Sequence, residues 1–277
     1  MAKLRDFLKD KLTKKELSIV PSSFDMIGSI IIFSDFPKKL KKREKVIGEA
    51  ILKNFKHIRS VYKKIKKYSG TFRIPKLKLI AGEDKKETEH KESNARIRLN
   101  VEKVYFSPRL SEERKRIFSQ VKPGESILVM FSGVAIYPLV ISKNTKVKQI
   151  TGIEINPIAH KYAIENLKLN KITNVKLILG DVKKITPKLN IKFDRIIMPL
   201  PKGAESFLRL ALNGIKRKGT VHFYNFAEDN KYEYLINIIE DECKKAKKQC
   251  KILNIKKCGQ SSPGVFRVCV DFKVFSV

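Results

Sequence analysis

From about Lys122 onward, short apolar runs alternate with longer stretches whose apolar residues recur at helical spacing. Ser126–Phe131, Val147–Ile155, Val175–Leu179, Asp194–Met198 and Thr220–Phe226 have the length and β-branched content of buried strands. Pro157–Asn170 and Tyr232–Lys248 lie between them as amphipathic helices. Such alternation predicts a parallel sheet with helices on both faces. The tail differs: Lys251–Lys256 and Val265–Phe275, joined by a Gly259–Gly264 turn, predict an antiparallel pair closing one sheet edge.

Upstream the pattern is mixed. Met26–Phe33 is a continuous apolar run and predicts a strand. Lys38–Tyr68 predicts a basic amphipathic helix, with Ile47, Ile51, Phe55, Ile58 and Tyr62 at helical spacing. Short strands are expected around Leu77–Ala81 and Ala95–Tyr105, and the charged stretch Gly82–Asn94 between them as an exposed turn or hairpin tip. The expected organisation is a short basic segment over 1–20, an α+β domain over 21–119 and the parallel-sheet domain over 120–277.

Charge adds a partner. Sixty Lys and Arg against 28 Asp and Glu leave a net +32 over 277 residues. Thermal adaptation raises Glu together with Lys, and here the acids do not keep pace. An excess of this size calls for an anionic partner, nucleic acid above all. No apolar window reaches the length of a membrane span, and the charged start lacks a signal peptide, so a cytoplasmic protein without a membrane partner is expected. Cys243, Cys250, Cys258 and Cys269 form no C-x-x-C pair, so no metal site is expected; a disulfide among them stays open.

In doubly wound sheets ligands sit beyond the carboxyl ends of the strands. Here the first strand ends in Phe131-Ser132-Gly133-Val134-Ala135, where small residues let a ligand approach the backbone. The second ends at Glu154-Ile155, a carboxylate suited to both hydroxyls of a ribose; the third at Gly180-Asp181-Val182, suited to an adenine amino group; the fourth at Pro199-Leu200-Pro201. Singly these are common turn and capping residues. At four successive strand ends they point to an adenosine-type cofactor. A dinucleotide site would need G-x-G-x-x-G at the first turn, and only one glycine is present.

One stretch is more specific than the sheet: Tyr105-Phe106-Ser107-Pro108-Arg109-Leu110-Ser111-Glu112-Glu113-Arg114. With Gly70–Pro75, Ile80–Glu83, Glu87–Glu92, Ile153–Pro157 and Glu165–Asn170, it resembles the archaeal and eukaryotic tRNA (guanine-37-N1)-methyltransferases over roughly residues 20 to 277. The resemblance implies a class I methyltransferase Rossmann-like sheet behind a smaller α+β RNA-binding domain. S-adenosyl-L-methionine would be the cofactor, the tRNA anticodon loop the partner and a monomer the working form. Glu113 matches the base that takes the N1 proton of guanine, and Arg73 the cation that stabilises charge reaching O6. Arg109, Phe131, Gly133, Glu154, Ile155, Asp181, Val182 and Pro199 match the cofactor region. Tyr105, Arg114 and Pro201 match the side that holds the target nucleotide, Arg114 near its phosphate. From helical spacing alone, Glu112–Arg116 reads as a solvated charged face.

Two positions depart from the family pattern. Ala135 stands where a second loop glycine is usual, which implies changed loop geometry with cofactor binding kept. Pro199 replaces the Asn of an Asn-Leu-Pro motif, removing an amide that aligns the base. An archaeal branch with Pro-x-Pro here also methylates a tricyclic wyosine precursor, which is carried as a second activity. The alternatives are aminocarboxypropyl transfer to a wyosine intermediate and a non-catalytic RNA-binding protein. The runs Lys38–Arg43 and Lys63–Lys67 are candidate phosphate contacts. About 20 residues precede the matched region, too few for a folded tRNA-checking module, so weak dependence on tRNA tertiary shape is expected.

Overall fold

The computed structural model describes residues 4–276, the side chains of 67–69 and 276 excepted. The first three residues of the expected basic segment therefore lie outside the described residues. The chain divides into two compact units, one of Met1–Glu92 with Arg96–Arg109, the other of Ser93–Ala95 with Leu110–Val277.

The first unit holds α1 (Lys14–Ser18), β1 (Asp25–Ile27), β2 (Ile30–Phe33), α2 (Glu44–Asn54), β3 (Ser60–Ser69), β4 (Ile74–Gly82), β5 (Glu87–Glu92) and most of β6 (Ala95–Asn100). A capping box starts α1: Glu16 N–H donates to Thr13 Oγ1 and Thr13 N–H to Glu16 Oε2. The strands β1-β2-β3-β4 form one sheet, antiparallel except for β2 and β3, whose parallel pairing needs the crossover helix α2. Leu40, Ile47 and Ile51 pack on Ile31, Phe33 and Val61 to form the core.

The apolar run Met26–Phe33 is a hairpin rather than one strand, turning at Gly28 (φ 54°). A side chain there would meet Glu89 O at 2.2 Å and Thr88 Oγ1 at 2.3 Å, so the turn closes only around glycine. The helix expected over 38–68 ends at Asn54, and Tyr62 lies in β3. Spacing of four fits both periods; pairing with β2 and β4 decides for strand. The charged stretch expected as an exposed turn or hairpin tip contains a whole strand, β5, which pairs with β6 as a two-stranded hairpin turning at Ser93-Asn94.

The second unit contains α3 (Ser111–Phe118), β7 (Ser126–Met130), α4 (Ile136–Asn144), β8 (Gln149–Glu154), α5 (Pro157–Leu169), β9 (Val175–Leu179), α6 (Val182–Ile185), β10 (Phe193–Met198), α7 (Leu208–Gly214), β11 (Ile215–Glu228), α8 (Glu233–Lys245), β12 (Lys248–Ser262) and β13 (Val265–Ser276). Its sheet runs β12-β13-β11-β10-β7-β8-β9. The five strands from β11 to β9 are parallel, and β13 is antiparallel to both its neighbours. This is the α/β sheet with an antiparallel C-terminal hairpin that the pattern predicts. Phe193, Ile196, Val221, Phe223, Val270 and Phe272 pack with Leu208, Leu212, Leu235 and Ile239 of α7 and α8. The division falls at 109/110, ahead of the 119/120 change in pattern, because α3 ties its side chains to β11 and β13. No helix among the described residues is long and apolar enough to cross a membrane.

Candidate functional site

The carboxyl ends of β10, β7, β8 and β9 lie side by side in the sheet. After β7 the backbone enters the left-handed region three times, at Phe131 (φ 58°), Gly133 (φ 58°) and Ala135 (φ 66°). Ala135 thus takes the conformation that glycine adopts without strain, at a cost of about 1 kcal/mol or more. The alanine is held in place: Ala135 N–H donates to Ser132 O at 3.0 Å, and the residue is fully buried. Ser132 Oγ is buried with no hydrogen-bond partner in this loop.

Glu154 ends β8 and is only 8% exposed. Its Oε2 accepts Gly133 N–H and its Oε1 accepts Asn156 N–H, both at 2.7 Å. Burial pushes its carboxyl above the ordinary glutamate range, and those two backbone donors work against the rise. The Ile155 backbone N–H adds a third donor to this carboxylate, which still has fewer donors than the about four its two oxygens accept. Ile155 beside it is 42% exposed, an apolar surface next to two aligned acceptors. Asn156 caps α5, accepting Ile158 N–H at 2.9 Å, with Pro157 in the first helical turn. Asp181 caps α6 through Oδ1, which accepts Lys183 N–H at 2.8 Å, and Val182 is buried. Beyond β10, Pro199 is half-buried and Pro201 buried, with Leu200 N–H turned back to Met198 O. Phe207 meets Phe131 edge to face at 4.9 Å. The Glu154 carboxylate, the orphaned Ser132 Oγ and the apolar Ile155 fit a nucleoside with a ribose hydroxyl.

Glu113 sits in the first turn of α3 and is 5% exposed. Arg116, one turn on, donates from Nε to Oε2 at 2.7 Å and from Nη2 to Oε1 at 2.8 Å. Tyr224 Oη donates to Oε1 at 2.6 Å. Arg114 is 2% exposed. The stretch 112–116 is therefore not the solvated face that helical spacing suggests: Glu113, Arg114 and Arg116 turn inward, Tyr224 of β11 partnering Glu113 and Asp271 of β13 partnering Arg116. An Arg114 contact with phosphate is correspondingly not open to solvent in this structure.

Arg73, Tyr105 and Arg109 belong to the first unit, and the other candidates to the second. Arg73 stands in the turn between β3 and β4 with φ 51°, its N–H donating to Gly70 O. Tyr105 is half-buried. Arg109 Nε donates to Asp25 Oδ1 at 2.5 Å, and Lys64 lies 3.9 Å from the other Asp25 oxygen. Of the candidate phosphate-contact run Lys63–Lys67, Lys63 pairs with Glu44 at 2.6 Å and Lys64 is buried beside Asp25, which leaves Lys66 exposed; the Lys67 side chain lies outside the described residues. In Lys38–Arg43 only Leu40 is buried, so this run keeps a basic surface. The four cysteines are free; Cys243 and Cys250 face each other as thiols. Sequence reading missed Ser132, Arg116, Phe207, Tyr224 and Asp271. Only the odd density of polar residues inside β11 and β13 (His222, Tyr224, Asp271) carries a signal for the last two.

Comparison with known proteins places these features. The TRM5/TYW2 methyltransferase domain matches residues 88–253, and the TYW2 N-terminal domain matches residues 4–85. A Pyrococcus abyssi protein named tRNA (guanine(37)-N(1))-methyltransferase Trm5b is 40% identical over 256 residues, covering 92% of this chain and 76% of that protein. A Nanoarchaeum equitans protein named tRNA (guanine(37)-N(1))/4-demethylwyosine(37)-methyltransferase Taw22 is 38% identical over 271 residues, covering 79% of this chain and 89% of its own length. Among solved structures, aTrm5 in its complex with tRNALeu superposes with a TM-score of 0.86 at 30% identity, over 98% of this chain and 78% of that one.

Proposed function

The chain belongs to the TRM5/TYW2 methyltransferase family, and from that premise we propose that it methylates N1 of guanosine 37 in tRNA. The cofactor, S-adenosyl-L-methionine, supplies an electrophilic methyl group. Glu154 and Gly133 hold its ribose, Ile155 and Phe131 flank its base, Asp181 and Val182 bound the adenine edge, and Pro199 lines the reacting end. With the cofactor bound, Glu113 would accept the N1 proton of guanine as that nitrogen takes the methyl group from the sulfonium sulfur, which leaves as a neutral thioether. Arg73 receives the negative charge that spreads to O6. Tyr105, Arg109 and Pro201 hold the nucleotide, and residues 21–119 with the Lys38–Arg43 run supply RNA contacts. The target base must leave its stack to be reached. The protein acts as a cytoplasmic monomer in this reading.

The observation that carries the reading is the carboxylate of Glu113, buried yet fixed by three hydrogen bonds at the start of the cofactor-binding unit. The test is mass spectrometry of position 37 after incubation with cofactor and G37-containing tRNA. A mass gain of one methyl on guanosine is expected, and an unmodified G37 overturns the proposal.

Pro199-Leu200-Pro201 supports a second activity. A strand end without a side-chain amide makes no specific demand on the guanine edge, and the Nanoarchaeum relative named for both reactions is 38% identical. Methylation of a demethylwyosine-bearing tRNA in the same assay is expected. Cofactor labelled separately in its methyl and carboxyl carbons distinguishes methyl transfer from aminocarboxypropyl transfer.

A further inference from the structure

Behind Glu113 lies a chain of buried polar side chains that the transfer chemistry itself does not employ. His222 and Tyr224 alternate along β11 with Cys269 and Asp271 opposite them on β13, His222 facing Asp271 and Tyr224 facing Cys269. The pleat turns all four to one side of the sheet. Arg116 reaches from α3 into this row: Nη1 donates to Asp271 Oδ2, and Nη2 to Asp271 Oδ1 at 3.2 Å. Asp271 Oδ1 also lies 2.6 Å from His222 Nδ1, and His222 Nε2 lies 2.7 Å from Arg195 Nη1. Arginine only donates. His222 Nε2 therefore accepts, its proton resides on Nδ1, and that N–H donates to Asp271. Arg195 is fixed in turn by Glu125, at 2.8 and 3.0 Å, and by Gln120 O at 2.7 Å. His222, Cys269 and Asp271 are close enough to suggest a metal site, but two guanidinium groups already occupy its imidazole and carboxylate.

This chain holds Arg116 so that its fork meets Glu113 squarely. Glu113 Oε1 takes two donors, Tyr224 Oη and Arg116 Nη2, while Oε2 takes Arg116 Nε. A carboxylate offers about four acceptor positions, two per oxygen. Oε1 is thus filled and Oε2 keeps a position; the weak thiol donor of Cys258, which donates to Lys256 O at 3.2 Å, lies near the carboxylate. We propose that Arg116, seated on Asp271 and His222, is a positioning residue that fixes Glu113 with Oε2 as the atom receiving the substrate proton. The proposal rests on Glu113 being the base.

The test uses the full chain with G37-containing tRNA and S-adenosylmethionine. Arg116→Lys keeps the charge but replaces a planar fork with a point donor that cannot span both carboxylates. Misplacing a reacting group by about 1 Å costs on the order of 100-fold, so kcat should fall about 10- to 100-fold, with KM for tRNA and cofactor within about threefold. Asp271→Asn, which does not touch Glu113, should lower kcat in the same direction by a smaller factor. The double variant Glu113→Gln with Arg116→Lys should be no slower than Glu113→Gln alone. Arg116→Ala should regain turnover with added methylguanidinium, which a misfolded chain cannot do. Unchanged kcat in Arg116→Lys, or losses that multiply in the double variant, overturns the positioning role. Unchanged turnover in Glu113→Gln instead overturns the base assignment, so the two failures are distinct.

Discussion

Replacing Glu154 with glutamine separates the cost of a buried carboxylate from its use. The wild-type side chain accepts two backbone N–H groups at 2.7 Å, one on each oxygen. An amide has one oxygen and one NH2, so in either flip state one backbone N–H faces another donor. A charge-assisted hydrogen bond of this kind is worth about 1.5–3 kcal/mol. Against that loss stands a gain: burial raises the carboxyl pKa, so the ionised group is held at a cost that Gln does not bear. The unliganded chain should therefore change in stability by no more than about 1–2 kcal/mol. Cofactor binding has no such offset. One ribose hydroxyl loses a charged acceptor, again about 1.5–3 kcal/mol, which is roughly 10- to 150-fold in Kd. Calorimetric titration with S-adenosylhomocysteine measures the affinity, and thermal unfolding of the unliganded chain measures stability. A Kd within threefold of wild type refutes the placement of the ribose on Glu154. A Kd loss accompanied by collapse of the unliganded Tm refutes the argument that burial offsets the lost bond.

Four further outcomes are expected. Ala135→Gly relieves a left-handed alanine and should leave stability level or raise it by about 1 kcal/mol, with cofactor still bound; a loss above that in chemical denaturation refutes the strain. Gly28→Ala forces a methyl group to 2.2 Å from Glu89 O at φ 54° and should cost about 2–4 kcal/mol in the same measurement. Acid should destabilise the chain in two stages: burial holds His222 neutral below the ordinary histidine range, whereas the unfolded residue takes a proton near pH 6.5, so stability falls as pH drops through that value. Asp271 is buried but held far below the usual carboxylate range by His222 and Arg116, so its stabilisation is present above about pH 4 and is lost below it; His222→Gln should remove the upper stage of a pH–Tm curve. Finally, charge reversal at Lys38, Lys39, Lys41 and Lys42, all exposed, should weaken tRNA binding and lower its salt dependence, while cofactor affinity is kept.

Sequence periodicity read the second unit well because its central strands β7, β8 and β10 are buried along nearly their whole length while α5 and α8 bury one face each, a contrast that survives in composition. It read the first unit less well for two reasons. The run 44–62 keeps apolar residues four apart across a helix end and into a strand, so helix and sheet give the same pattern until β2 and β4 pair with it. The segment 87–92 is polar on both faces, and its strand is specified by β6 rather than by its own side chains. Gly133, Glu154, Asp181 and Pro199 were legible as neighbours at successive strand ends because strand ends are where chain order and ligand position coincide in such sheets.

Glu113 shows the opposite situation. Nothing within its own helix distinguishes it from Glu112, which is exposed. What separates them is Tyr224, 111 positions away, and Arg116, whose other carboxylate partner lies 155 positions from it in sequence. Those distances are closed by the hairpin of β12 and β13, whose antiparallel return places β13 against β11 and sets Asp271 opposite His222. The C-terminal hairpin thus does more than close the sheet edge. It delivers the carboxylate on which Arg116 rests, and so it couples the register of the last strand to the orientation of Glu113. A two-residue slip between β11 and β13 would keep every side chain on its own face and still remove Asp271 from His222. Strand register, rather than any local motif around residue 113, is therefore what turns a charged helix face into a held carboxylate.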